Sequence, residues 1–402
     1  LSLALLSEGC KSVKLKDADE QFGRGEYNDA AKTYRKIYNR LSSREDRPLR
    51  GEVAFKMATC HRKLNQASRA SAAYQNAIRY EYPDSMAFYW LGRSLQTEGK
   101  YPQAIQAYRT FLEWQPDNLL AKEGLKGAMR GEAAKKQPKT RYVVKNAKIF
   151  NSRRADFAPM YLDKSHDQLY FTTTNEKVTG DNRSEITGMK KSDIWVSKKD
   201  ERGEWQRPEP VEGELNSDMD EGIVAFSPDG QTMYLTMARR APESSTSVEI
   251  YTSKRSDATW SAPVKFDILN DTISAVGHPA VSPDGRYLYF TSDMPGGYGG
   301  KDIWRINLMD RAGSLENLGP QINTPGDEMF PYMRNDSTMY FSSDGHPGYG
   351  GLDLFVARQN ATRDFWSVEN MGLPMNSPGD DFGITFGEGE RGFFSSNRGD
   401  AR

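Results

Sequence analysis

Five short elements of the form apolar-Asn-Ser/Thr/Asp recur through the latter part of this 402-residue chain, and their metre limits what it can fold into. They stand at Phe150-Asn151-Ser152, Leu215-Asn216-Ser217, Leu269-Asn270-Asp271, Ile322-Asn323-Thr324 and Met375-Asn376-Ser377. The asparagines are 65, 54, 53 and 53 residues apart, so one insertion lengthens the first interval and the rest keep time. Self-similarity at a fixed period of this size marks a repeat architecture, in which each unit buries its apolar face against its neighbours.

Inside a repeat the apolar residues alternate, as in Gln168-Leu169-Tyr170-Phe171, Tyr287-Leu288-Tyr289-Phe290-Thr291 and Met339-Tyr340-Phe341. Such aromatic-rich runs read as strands. Asp229-Gly230 and Asp284-Gly285 separate two runs, and Asn335-Asp336 and Glu388-Gly389 take that place later. Asp-Gly is a hairpin signal because a tight turn matched to strand twist needs positive φ. A third run opens on an acid, at Asp193-Ile194-Trp195, Asp302-Ile303-Trp304 and Asp353-Leu354-Phe355, and a Trp (Trp205, Trp260, Trp366) precedes the fourth. Four strands in about 50 residues describe a β-propeller blade. Four full blades are predicted, then the two inner strands of a fifth, Ile384–Phe386 and Gly392–Ser396. Asn151 precedes any complete blade, so Arg141–Ser152 is expected to be the outermost strand of the closing blade, leaving no open sheet edge.

Residues 14–136 have a helical period instead. Ala30-Ala31-Lys32-Thr33-Tyr34, Ala70-Ser71-Ala72-Ala73-Tyr74 and Ala104-Ile105-Gln106-Ala107-Tyr108 align, with tyrosines 40 and 34 residues apart. Leu91-Gly92, Ala104, Tyr108 and Pro116 fit the small, aromatic and terminating positions of a tetratricopeptide repeat, which this segment resembles. Leu119–Ala134 is the expected capping helix. The resemblance implies a groove faced by Phe55, Arg62, Met86, Tyr89 and Arg93, with Glu52, Thr59, Lys63 and Gln96 beside them, that docks a partner's peptide or tail. The plainer role for any one of these residues is a solvated spacer, and Cys60 is expected to pack inside a helix. Residues 137–140 read as a short linker and 141–402 as the β domain, giving an α-then-all-β chain.

With 54 basic against 55 acidic residues, the chain has no electrostatic case for nucleic acid or a polyanionic surface. Two cysteines supply neither a disulfide framework nor metal-ligand spacing. Residues 1–10, LSLALLSEGC, read as the tail of an apolar signal segment ending in a stretch that resembles a bacterial lipobox, which implies acylation of Cys10. No nucleophile elbow, zinc-binding His-Glu-x-x-His or phosphate loop is spelled anywhere, so no catalytic residue, metal or cofactor is expected. His61, His166, His278 and His346 are scattered, and the last two are expected in surface turns. Asp193, Asp302 and Asp353 are expected to accept loop amides rather than ligate calcium.

In a propeller the loops joining second and third strands open on the same face as the links between blades. Asp220, Glu221, Tyr298, Asp327, Glu328, Tyr349 and Asp380 are therefore expected at one acidic, tyrosine-decorated mouth, suited to a basic peptide or a cation. In the competing reading, repeated acids tie down blade-to-blade amides. Departures from the repeat, the Asn175–Lys191 loop and Arg239–Ser247, are the preferred contact regions.

The blade text, with SPDG, LYFTS, GGYGGKDIW and LG-x-x-INT, resembles the periplasmic propeller repeat of TolB. With the lipobox-like start, helical repeats and blades in that order, the chain is similar over essentially its whole length to the PorE-type lipoproteins of the type IX secretion system. That resemblance implies a ring of about six blades continuing past Arg402, and a non-enzymatic periplasmic scaffold. The implied partners are other envelope proteins of the secretion machinery, the outer membrane through a lipid on Cys10, and peptidoglycan through a C-terminal domain outside this sequence. Two rivals are a ligand- or glycan-sensing propeller and a propeller that gates a hydrolase.

Overall fold

The computed structural model describes residues 15–134, 140–184, 186–240, 246–268, 274–310, 314–362 and 365–399. Cys10, the Asn270 element, most of the linker and part of Arg239–Ser247 lie outside the described residues. Two compact units are present, one of residues up to Lys135 with Arg183–Met189, the other of the remainder.

The helical unit runs α1 (15–23), α2 (Tyr27–Tyr38), α3 (Arg47–Lys63), α4 (Ala67–Arg79), α5 (Met86–Thr97), α6 (Tyr101–Trp114) and α7 (Leu119–Ala134), each helix packed on the next. Gly25 and Gly99, at φ 78° and 70°, make the left-handed turns within the first and third pairs, and Asn65 at φ 55° does so in the second. Tyr34, Tyr74 and Tyr108, one from each second helix, are wholly buried. Small residues make room for them. A Cβ on Gly92 or Gly124 would come within 2.9 or 2.7 Å of the Tyr108 side chain. Their hydroxyls stay bonded, Tyr34 to Asp19 Oδ1 at 2.6 Å and Tyr108 to Gln96 Oε1 at 2.7 Å. Cys60 is wholly buried and burial pushes its thiol up to about 12, so it packs and does not react.

The β unit is built of antiparallel sheets. Blade one holds β1 (Asp156–Tyr161), β2 (Gln168–Thr173), β3 (Asp193–Lys198) and β4 (Glu209–Pro210). Blade two holds β5 (Asp220–Phe226), β6 (Thr232–Arg240) and β7 (Thr246–Ser256), with β8 (Thr259–Trp260) and β9 (Val264–Lys265) both on β7. Blade three is β10 (Val276–Val281), β11 (Tyr287–Ser292), β12 (Asp302–Asn307) and β13 (Glu316–Asn317). Blade four is β14 (Glu328–Asn335), β15 (Thr338–Ser343), β16 (Asp353–Gln359) and β17 (Trp366–Asn370), and blade five is β18 (Asp381–Phe386) and β19 (Gly392–Ser396). Cores form between consecutive blades: Tyr170, Ile194, Met233 and Trp260 join one to two, and Tyr340, Leu354, Met375 and Phe386 join four to five.

Every first strand carries a bulge with one left-handed residue: Ala158, Ile223, His278, Phe330 and Gly383, at φ 52°, 49°, 50°, 53° and 61°. That conformation costs a side-chain-bearing residue on the order of 1–3 kcal/mol, so something must hold it. The bulge turns an N–H onto the second strand of the preceding blade. Ile223 donates to Thr172 Oγ1 and His278 to Thr236 Oγ1, both at 2.9 Å, and Ala158 donates to Ser395 Oγ at 2.8 Å. The last bond joins blade one to blade five by the same link that joins one to two. The described blades thus close as a ring of five, where the resemblance implies about six. Arg141–Ser152 also departs from expectation. It forms no strand, because a fourth strand pairs with a third, and among the described residues blade five contributes two.

Candidate functional site

The acids expected at a mouth serve instead as clasps between blades. Asp220, Asp327 and Asp380 each accept, at 2.9 Å, the N–H of the residue before the preceding blade's third strand: Ser192, Lys301 and Leu352. The next residue of each pair, Glu221, Glu328 or Asp381, donates its own N–H to the carbonyl of that same residue at 3.0, 2.7 and 2.7 Å. Glu221, Glu328 and Asp381 are wholly buried, and their carboxylates take the hydroxyls of Ser217, of Thr324 and Ser343, and of Ser377. Burial pushes Glu221 up to about 7 and Glu328 up to about 8, against the pull of those donors. Tyr349 is buried as well, and Tyr298, half exposed, uses its N–H to lock Asp302 at 2.7 Å. The seven residues therefore make no common receiving surface, and the clasp reading replaces the mouth. Asp193 and Asp353 lock their own loops through the amides of Thr179 (2.7 Å) and Gly350 (3.0 Å).

One histidine also differs from expectation. His278 sits on the β10 bulge rather than in a surface turn, stacked on Phe330 at 4.1 Å. Its Nδ1 accepts the Phe330 N–H at 3.3 Å, and burial pushes its pKa down to about 3, which keeps that nitrogen an acceptor. His346 is half-buried, with Nε2 2.9 Å from the Ile322 carbonyl.

On the helical unit the side chains named for a groove divide into two rows. From Met86, steps of four, three and four along α5 reach Trp90, Arg93 and Thr97, all half-buried, while Tyr89, Gly92 and Gln96 form the buried row beside it. Tyr89 thus belongs to the core, 5.5 Å from the Phe111 ring, and Trp90 takes the outward place that sequence reasoning gave to Tyr89. The Arg62 guanidinium lies 3.6 Å over the Trp90 ring, and its Nε donates to the Tyr74 hydroxyl at 3.3 Å. Phe55 meets Tyr74 edge-on at 5.6 Å and stacks on Tyr82 at 4.5 Å. The result is a continuous aromatic and cationic face, the side-chain types that dominate protein interfaces. Arg62→Ala is expected to lower the stability of the helical unit by about 1 kcal/mol, read by thermal unfolding, because it removes one cation–π contact and one hydrogen bond.

A cavity of about 340 Å3 opens on the propeller axis, lined from all five blades by residues that include Tyr161, Lys164, Ser227, Ser282, Arg334 and Phe386. Below it the bulge residues Ala158, Ile223, His278, Phe330 and Gly383 close the axis around a space of about 20 Å3. Burial pushes the Tyr161 phenol up to about 12, so it stays a neutral donor and acceptor. Among the described residues no group of His, Cys, Asp or Glu is arranged to hold a metal ion.

Residues 52–85 and 86–117 match the tetratricopeptide repeat family. No curated protein matches the chain. Among solved structures, the C-terminal tetratricopeptide-containing domain of a putative FK506-binding protein from Plasmodium falciparum is 16% identical, over 32% of this chain and 91% of that one, with a TM-score of 0.29. A putative TolB from Agrobacterium tumefaciens is 14% identical, over 58% of this chain and 87% of its own, at 0.32. A puromycin-hydrolysing peptidase from Mycobacterium tuberculosis is 14% identical over 58% of this chain but 30% of its own length, at 0.33. At such TM-scores the propeller assignment stands on the strand order and register given above. Helical repeats followed by propeller blades form a protein–protein interaction module.

Proposed function

We propose that this chain is a non-enzymatic scaffold of a bacterial secretion machinery of the type IX kind, gripping protein partners in the cell envelope. The observation that carries the reading is the face formed by Phe55, Arg62, Tyr82 and Trp90, half-buried side chains laid over the buried Tyr74, where aromatic rings and an arginine lie together at the surface of a repeat array. The site of action is the periplasm, with an outer-membrane anchor at Cys10 and a link to peptidoglycan through a domain outside this sequence. Among the described residues no helix is long and apolar enough to cross a membrane. Crosslinked pull-down from envelope fractions tests the reading. Trp90→Ala with Arg62→Ala should lose partners that the unaltered chain retains, and Cys10→Ala should leave the membrane fraction. Retention of the same partners and the same fractionation by all variants would overturn it. A second reading, a propeller that senses a small ligand, draws on the five-blade cavity, whose volume lies in the range that small-molecule sites occupy. Ligand soaks with readout at Tyr161 and Arg334 separate the two.

A further inference from the structure

Several cations of the helical unit sit directly on carboxylates. Lys56 holds Asp19 and Glu52 at 2.8 Å each, Arg47 holds Glu81 at 2.8 Å, and Lys126 holds Glu123 at 2.6 Å. Arg62 on α3 does otherwise. Its guanidinium lies 3.6 Å over the Trp90 ring and its Nε donates to the Tyr74 hydroxyl at 3.3 Å. Among the described residues no carboxylate pairs with Arg62, and its Nη1 and Nη2 bond to no protein atom. The side chain is half-buried, and neither of these nitrogens is enclosed. The ring below and the phenol beside it fix the guanidinium plane, so its ordering cost is met before a ligand arrives. The two Nη groups then form a planar fork that matches the two oxygens of a carboxylate.

The other end of the same face is apolar. Phe55, seven residues before Arg62 on α3, stacks on Tyr82 at 4.5 Å, and both are half-buried, so part of each ring is open to an incoming side chain. Between Phe55 and Arg62 stands Thr59, a small neutral residue whose hydroxyl donates to the Phe55 carbonyl at 3.0 Å. Seven residues of helix rise about 10 Å. An extended chain covers that distance in about three residues.

We propose that this face docks an extended segment of a partner protein in which an Asp or Glu stands about three residues from a large apolar residue. The carboxylate spans Nη1 and Nη2 of Arg62, the apolar side chain lies on Phe55 and Tyr82, and the residues between them pass over Thr59. Charge complementarity selects this occupant. A basic segment would set a second cation against a guanidinium that has no carboxylate of its own, and a wholly apolar one would bury the fork unpaired. Arg93, one turn beyond Trp90 on the outward row of α5, adds to the positive field. The inference rests on the reading of this face as the partner-binding surface and names the chemistry of what it binds.

The probes are two octapeptides with blocked ends, GSESGFSG and its reverse, each beside a version in which Gln replaces the Glu. They are titrated calorimetrically into the 402-residue chain. Saturable binding of a Glu peptide is expected, at least tenfold tighter than its Gln counterpart and weakened by added salt. Arg62→Lys, which keeps the charge and gives up the planar fork, should lower the affinity about tenfold. The Glu-to-Gln comparison is made on the unaltered chain, so it holds whatever the variant does to folding. No saturable binding of either Glu peptide, equal affinity for Glu and Gln, or unchanged affinity in Arg62→Lys would overturn the proposal. So would a concentration-dependent dimer that Arg62→Lys abolishes, which would make the occupant a second copy of the chain. Equal Glu and Gln binding, alongside loss of envelope partners by the Trp90 and Arg62 variants, would overturn this inference and leave the scaffold reading in place.

Discussion

Asn376→Ala is expected to destabilise the propeller by about 3 kcal/mol, the largest effect of any single polar substitution considered for this fold. Asn376 is 1% exposed, and its truncation strips partners from both the N–H and the carbonyl of buried Leu354, besides the side bond to Asn370. A buried backbone group left without a partner costs about 1–3 kcal/mol, and the Leu354 N–H is left so here, while its carbonyl loses one of two donors and keeps the Met371 N–H at 3.1 Å. Asn151→Ala provides the contrast. It occupies the same motif position but is exposed, and its bond is to Asn146, so its cost should stay below about 0.5 kcal/mol. Urea unfolding followed by tryptophan fluorescence measures both. Equal losses would show that the motif acts through its local turn and not through the third strand it clamps.

Glu328 should make the propeller less stable as pH rises across the neutral range. Its folded-state value of about 8 lies above the usual glutamate range near 4.5, because burial penalises the anion more than Thr324 and Ser343 reward it. The protonated form is therefore the one favoured by folding. Its contribution is fully present below pH about 4.5, declines as pH climbs, and is gone above about 8, a change of at most about 5 kcal/mol. Glu221, at about 7, acts in the same direction over a narrower window. Glu328→Gln cannot titrate, so the stability difference between the unaltered chain and the variant should shift against the unaltered chain from pH 5 to pH 8.5. Denaturation midpoints at four pH values across that range test it. Parallel curves would mean that the three donors keep Glu328 ionised throughout.

Several features were legible in the residue order because they are local. Alternation in Tyr287-Leu288-Tyr289-Phe290 and the Asp-Gly turns predict hairpins, since strand period and left-handed turn geometry depend on residues a few positions apart. The alignment of Tyr34, Tyr74 and Tyr108 with small residues marks the helical repeat in the same way, and all three are wholly buried. The reading of Asp193, Asp302 and Asp353 as loop locks also needed only the loop and the strand it enters.

Other features depend on how the units meet, and pattern alone could not rank the alternatives. Tyr89 and Trp90 are adjacent aromatic residues, and only the contact of α5 with α6 decides which of them is buried. The acids of Asp327-Glu328 were open to a mouth or a clasp until Lys301 of the preceding blade came within 2.9 Å. His278 reads as a turn residue until Phe330 stacks against it across a blade boundary.

What the sequence by itself determined is the repeating unit: its length, its four-strand text, its turns, and the change to helical period before it. Tertiary structure alone decided how many units share the axis and where the repeated carboxylates go. Blade number follows from the angle at which neighbouring sheets pack, and the bond from Ala158 to Ser395 spans 237 residues of sequence to set it. A period can state what each module is; the closure of the ring belongs to contacts that no single module contains.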